Sequence, residues 1–190
     1  MPYRSLDPAP RRYSADVSLI RRSARGPAAA PPRTSPGEIE EWLLDGAMRE
    51  HDMLALFEQL AWRLVAASLP VDRLSLHIGT LHPQIIGFGW NWSRDDGLCD
   101  EIKVGEGALT SDAYRLSPLA RCIEHGERFR ADPRDAALQA RFPFLAELAG
   151  HGFTEYAALP LGGDGYHNVM TVATKAPGGV TEADLQVLMG

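Results

Sequence analysis

The chain has 190 residues, 45% hydrophobic, 23% charged and 8% aromatic, with a net charge of −6 and a mean hydropathy of −0.19. That length supports one domain with a proper core, and the lack of any run of about 18 apolar residues excludes a membrane-spanning helix. Two cysteines, Cys99 and Cys122, are too few for a disulfide framework or a four-cysteine zinc site. The charge is unevenly placed. Residues 1–37 hold Arg4, Arg11, Arg12, Arg21, Arg22, Arg25 and Arg33 against Asp7 and Asp16, a net +5, which leaves −11 for the other 153 residues. So acidic a body is a poor non-specific partner for nucleic acid or anionic lipid. A soluble, cytoplasmic domain without nucleic-acid or membrane partners is expected.

Half of the chain's 14 prolines (Pro2, Pro8, Pro10, Pro27, Pro31, Pro32 and Pro36) also fall in residues 1–37. The one apolar cluster there, Val17, Leu19 and Ile20, buries too little surface to offset the entropy of ordering. Residues 1–37 are therefore expected to form a disordered Arg/Pro/Ala-rich tail, and residues 38–190 a folded domain.

Order is predicted to start at Ser35-Pro36-Gly37-Glu38, a capping box with proline in the first turn. A first helix is expected over 36–49 and a second over 52–68, where Met53, Leu56, Phe57, Leu60 and Leu64 recur at helical spacing until Pro70. Leu74, Leu76 and Ile78 alternate with Arg73, Ser75 and His77, which predicts a half-buried strand. Ile86, Phe88 and Trp90 form a second alternating set, and 99–104 a third strand after the Asp95-Asp96-Gly97 turn. Ser117-Pro118 opens a short helix that Gly126 stops. A short strand is expected at 127–130, a helix over 135–149, and strands over 156–161 and 167–175 joined by Gly162-Gly163-Asp164-Gly165. Thr181 with Asp184 opens a last helix. Hairpin-linked strands with helices at both ends predict an α+β fold, with a central antiparallel sheet of five to six strands and helices packed on one face and at both termini.

The usual catalytic patterns are missing. None of the six histidines stands in a metal-ligand spacing, no G-x-S-x-G elbow occurs, and the glycine pairs match no phosphate-binding signature. No metal, cofactor or catalytic residue is assigned. Trp90 shares a strand face with Trp92, near His82, and either lines a pocket or packs in the core. Arg128 and Arg130, flanking Phe129, either grip a carboxylate or phosphate bidentately or are solvated edge charges.

One longer pattern remains. Glu40-Glu41-Trp42-Leu43-Leu44 precedes Thr80-Leu81-His82-Pro83 and Trp90, then Ser117-Pro118. Gly152-Phe153-Thr154-Glu155-Tyr156-Ala157-Ala158-Leu159-Pro160-Leu161 follows, then Asp164-Gly165 and Pro177-Gly178-Gly179. This order resembles the N-terminal sensory region of bacterial class III adenylate/guanylate cyclases, with Glu155 standing where that pattern has aspartate. The resemblance implies a GAF fold with a ligand pocket, or its vestige, on one face of the sheet. It implies a homodimer through the terminal helices, the second and the last. It also implies that the cyclase domain lies outside this chain, whose last helix is cut short, so that the chain itself is not an enzyme. Arg73, His82, Trp90, Arg128, Arg130 and Tyr156 are the candidate ligand-binding residues, for a small anionic or aromatic molecule. Two alternatives stand beside this reading: a GAF-like dimerisation scaffold without ligand, and a small redox enzyme using Cys99 and Cys122.

Overall fold

The computed structural model describes residues 11, 13–82, 84–162 and 168–189. Seven strands form one antiparallel sheet in the order β1-β4-β3-β2-β7-β6-β5. They are β1 Val17–Ser23, β2 Arg73–His82, β3 Ile85–Ser93, β4 Cys99–Gly105, β5 Phe129–Ala131, β6 Glu155–Pro160 and β7 Val169–Thr174. The helices are α1 Pro36–Asp45, α2 Met53–Ala66, α3 Asp112–Arg115, α4 Pro118–His125, α5 Ala136–Arg141, α6 Phe144–Gly150 and α7 Glu182–Met189.

The α+β class with one antiparallel sheet is as expected, but the sheet has seven strands rather than five to six. The added strand comes from the segment expected to be disordered. β1 pairs along β4 from Val17↔Val104 to Ser23↔Cys99. Its arginines find acids from about 80 positions away or on α2: Arg21 donates to Glu101 at 2.6 Å and to both oxygens of Asp52 at 2.9 and 3.0 Å. Composition counted the arginines and prolines of this stretch as solvated. Only the fold brings the acids within reach, and edge pairing does not require an apolar strand. The predicted turn at Gly162–Gly165 lies, beyond Gly162, outside the described residues.

Helix boundaries follow local chemistry. Ser35 and Glu38 close the capping box, the Ser35 backbone N–H donating to the Glu38 carboxylate at 2.7 Å. The Asp52 carboxylate accepts from the N–H groups of Leu54 and Ala55 at the start of α2. Ser117 caps α4, and Gly126, with φ of 65°, ends it in the left-handed conformation. The helix expected over 135–149 is broken into α5 and α6 at Phe142-Pro143, because the residue before a proline is pushed out of the helical region. The single-turn α3 was not foreseen.

Helices cover both faces of the sheet, not one. Under α2 and α7 lie Phe57, Leu64, Leu74, Trp90, Trp92, Leu159, Val172 and Leu185, with Trp62 edge-on to Trp92 at 5.1 Å. Under α3–α6 lie Ile102, Tyr114, Cys122, Phe144, Leu145, Leu148 and Tyr156, with Phe144 edge-on to Tyr156 at 5.0 Å. β6 and β7 are buried throughout except at Pro160, since they feed both cores.

Candidate functional site

Antiparallel register carries a polar row across the face beneath α3–α6. Arg22 on β1 pairs with Asp100 on β4, Asp100 with Asn91 on β3, Asn91 with Ser75 on β2, and Ser75 with Thr171 on β7. Lateral partners share a face, so these five side chains form one strip. Four are sealed from solvent, with exposures of 0% for Asp100, 4% for Asn91, 0% for Ser75 and 2% for Thr171. Arg73 and His77, two residues either side of Ser75, are buried on the same face. Burying polar groups is costly unless they are bonded.

Residues 11–22 supply that bonding at one end. The Tyr13 hydroxyl donates to Asp100 Oδ2 at 2.8 Å, and Arg22 donates to both Asp100 oxygens at 2.6 and 2.9 Å. Arg11 sits 3.1 Å from the same carboxylate, donates to the Asn91 carbonyl at 3.0 Å, and pairs with Asp96 at 2.7 Å. Desolvation is the strongest influence on Asp100 and pushes its carboxyl up. The Arg22 hydrogen bond, the Arg11 charge and the Tyr13 hydroxyl together outweigh it and hold the group below the usual carboxylate range. Burial pushes the Tyr13 hydroxyl up, so it remains a donor at neutral pH. In the middle of the strip, Asn91 Oδ1 and the Ser75 hydroxyl make no hydrogen bond among the described residues.

The six residues singled out in the sequence do not come together. Arg73 and Tyr156 share a face and a lateral row, one on each side of Ala173. Tyr156 packs as core against Phe144, and Trp90 points to the opposite core under α2. His82 is exposed at the end of β2, its Nδ1 accepting from the Gln84 N–H at 3.1 Å. Arg128 and Arg130 do bind carboxylates, but the chain's own. Arg128 donates to Glu182 at 2.6 Å, and Arg130 donates to Glu155 and to the Val180 carbonyl. Glu155 also accepts from the Val180 N–H at 2.8 Å. A Cβ on Gly179 (φ +68°) would lie 1.9 Å from that carboxylate, so the glycine makes room for the Glu155 side chain.

Arg128 also lines a cleft of about 230 Å³ between α4, β5 and α5, with Arg121, Glu127, Phe129, Leu138, Arg141 and Phe142. The residues missed in the sequence are Arg22, Asp100, Asn91, Ser75 and Thr171 of the strip, Arg11 and Tyr13 that bond its Asp100 end, and Arg121 and Arg141 of the cleft. One signal for the strip was present: the polar sides of β2 and β3 carry Ser75, His77, Gly87, Gly89 and Asn91, with few of the long charges of a solvated face.

The two thiols lie in different cores on opposite faces of the sheet, Cys99 on β4 beneath α2 and Cys122 on α4. Burial raises both, Cys122 to about 12. Among the described residues no cluster of histidine, cysteine and acidic side chains could hold a metal ion, and no helix is long and apolar enough to cross a membrane. No protein-family model matches the chain, and no curated protein matches it.

Proposed function

We propose that this chain is a non-catalytic, GAF-like regulatory domain of a cyclase-type cyclic-nucleotide signalling protein, with the catalytic domain supplied elsewhere. The observation that carries the reading is the division of labour between the two sheet faces. One face holds α2 and the last helix, α7, over an apolar core. The other holds a strip of buried polar groups in which two atoms, Asn91 Oδ1 and the Ser75 hydroxyl oxygen, make no hydrogen bond among the described residues. Polar side chains converging beneath a helical cover are the usual furniture of a small-molecule site. Ligand binding on that face would act on α7 through β6 and β7, whose side chains enter both cores.

A dimer through the second helix, as the resemblance implies, has no surface to use. All 14 residues of α2 are buried or partly buried, so α2 has no free stripe to offer a partner. α1 presents Leu43 and Leu44, the latter 70% exposed, and α7 presents Met189. A homodimer through terminal helices would use these. A ligand-free scaffold is favoured by one observation, that Asp100 is already furnished by Arg11, Tyr13 and Arg22. The redox alternative has no support in the separated thiols.

A thermal-shift screen with nucleotides and small carboxylic acids, run beside light scattering for mass, tests the reading. A ligand at 100 times its Kd should raise Tm by roughly 5–10 °C, and the chain should be dimeric. A dimer with no shift across the library would favour the scaffold. A monomer that shifts with nothing, or that makes cyclic nucleotide from ATP or GTP unaided, would overturn the proposal.

A further inference from the structure

The cleft between α4, β5 and α5 combines an apolar floor with a cationic rim. Phe129 and Phe142 meet edge to face with ring centres 5.2 Å apart, and Leu138 lies beside them. The rim holds three guanidinium groups and one carboxylate. Arg121 is committed to Glu127 at 2.8 Å and Arg128 to Glu182 at 2.6 Å. Arg141 is exposed, lies over the Phe142 ring at 5.0 Å, and makes no ion pair among the described residues. The lining therefore has two more positive than negative charges, beside a greasy floor.

Size narrows the occupant. Drug-sized ligands fill about 300–1,000 Å³, whereas a cavity of about 150 Å³ takes a benzene ring. At about 230 Å³ the cleft admits one ring and a small head group. We infer that this cleft binds a compact aromatic carboxylate, its ring on Phe129, Phe142 and Leu138 and its carboxylate held by Arg141 and Arg128. The planar guanidinium matches a carboxylate bidentately.

The site is tied to the last helix. Glu182, in the first turn of α7, already occupies Arg128, and it lies 3.4 Å from Arg130. A ligand carboxylate competes with Glu182 for Arg128 and so loosens the start of α7. That competition gives the regulatory reading an input; the binding itself does not depend on it.

Titrating the full chain with benzoate, followed by calorimetry and by NMR of the amides near Phe129 and Phe142, tests both parts. Benzoate should bind, and neutral benzamide should bind about tenfold more weakly or not at all, as expected for losing a charged hydrogen bond. Inorganic phosphate should fail to move the amides over the apolar floor. Arg141→Gln should weaken benzoate about tenfold without lowering Tm, since the side chain is exposed. Glu182→Gln should tighten benzoate by removing its competitor. Equal binding of benzamide, an unchanged Kd in Arg141→Gln, or shifts produced equally by phosphate would overturn the site. An unchanged Kd in Glu182→Gln would overturn the competition alone. Failure of the regulatory reading would show in the mass and turnover measurements and leave these titrations as they are.

Discussion

At the β1 edge of the sheet Arg11 and Arg22 meet Asp100, while at the β5 edge Arg128 and Arg130 meet Glu155 and Glu182. The chemistry is the same and the depth is not. The Asp100 side chain is 0% exposed, and Glu182 is 57% exposed. A buried pair is expensive to break, because removing one partner strands the other's charge away from water. An exposed pair contributes little, since solvent replaces either partner at small cost. The β1 edge is accordingly a structural joint. The β5 edge holds one deep contact, Glu155 with Arg130 and the Val180 N–H, and one loose contact, Glu182 with Arg128. Only the loose one is suited to exchange with a ligand.

The sharpest way to break this contrast is to remove β1. Among the described residues, every donor to Asp100 lies within residues 11–22, and Ser23 donates to the buried Glu58 on α2. A chain starting at Ala24 should lose more than about 3 kcal/mol, a large share of the roughly 5–15 kcal/mol typical of a domain. Urea unfolding monitored by tryptophan fluorescence measures it. A truncated chain as stable as the full one would show that β1 is dispensable and the contrast false.

Acid offers a milder test of the same edge. The Asp100 carboxyl is held below its ordinary value in the folded state, so its contribution is present above the unfolded pKa of about 3.9 and is lost as pH falls through the folded value. Stability should therefore decline below about pH 4. Asp100→Asn, less stable at pH 7, should show a shallower decline over that range. Parallel pH profiles for the two proteins would remove Asp100 from the account.

The smallest effect is expected at the other edge. Arg128→Gln breaks the ion pair with Glu182, and stability should change by less than about 0.5 kcal/mol. A loss above about 2 kcal/mol in chemical denaturation would make the β5 edge as rigid as β1 and leave no room for exchange at α7.

Much of the fold was legible because its signals are local. The Ser35–Glu38 capping box, the Ser117 cap, the Gly126 stop and the alternation of Leu74, Leu76 and Ile78 each act within a few residues of themselves. β1 was not legible, since Arg21, Arg22 and Ser23 are neither apolar nor alternating. What orders them is a strand some 80 positions away, together with Asp52 and Glu58 on α2. The break at Pro143 was legible in principle, for the proline stands in plain view inside an otherwise helical stretch. The site was least legible. Arg128 and Arg130 read equally as ligands for a carboxylate or phosphate and as solvated edge charges, and nothing local shows that Glu155 and Glu182 would be their partners.

By itself the sequence determined the class of the fold, the starts of α1, α2 and α4 and the stop of α4, and the separation of a +5 segment from a −11 body. Tertiary structure decided what that separation means. Charges apart along the chain attract only once folding brings them within a few ångströms in a medium less polar than water. Burial then decides which attractions are costly to lose. The basic segment is thereby the strand that completes the sheet and furnishes Asp100 and Glu58, while Arg128 at the far edge is left with an exposed partner that solvent can replace.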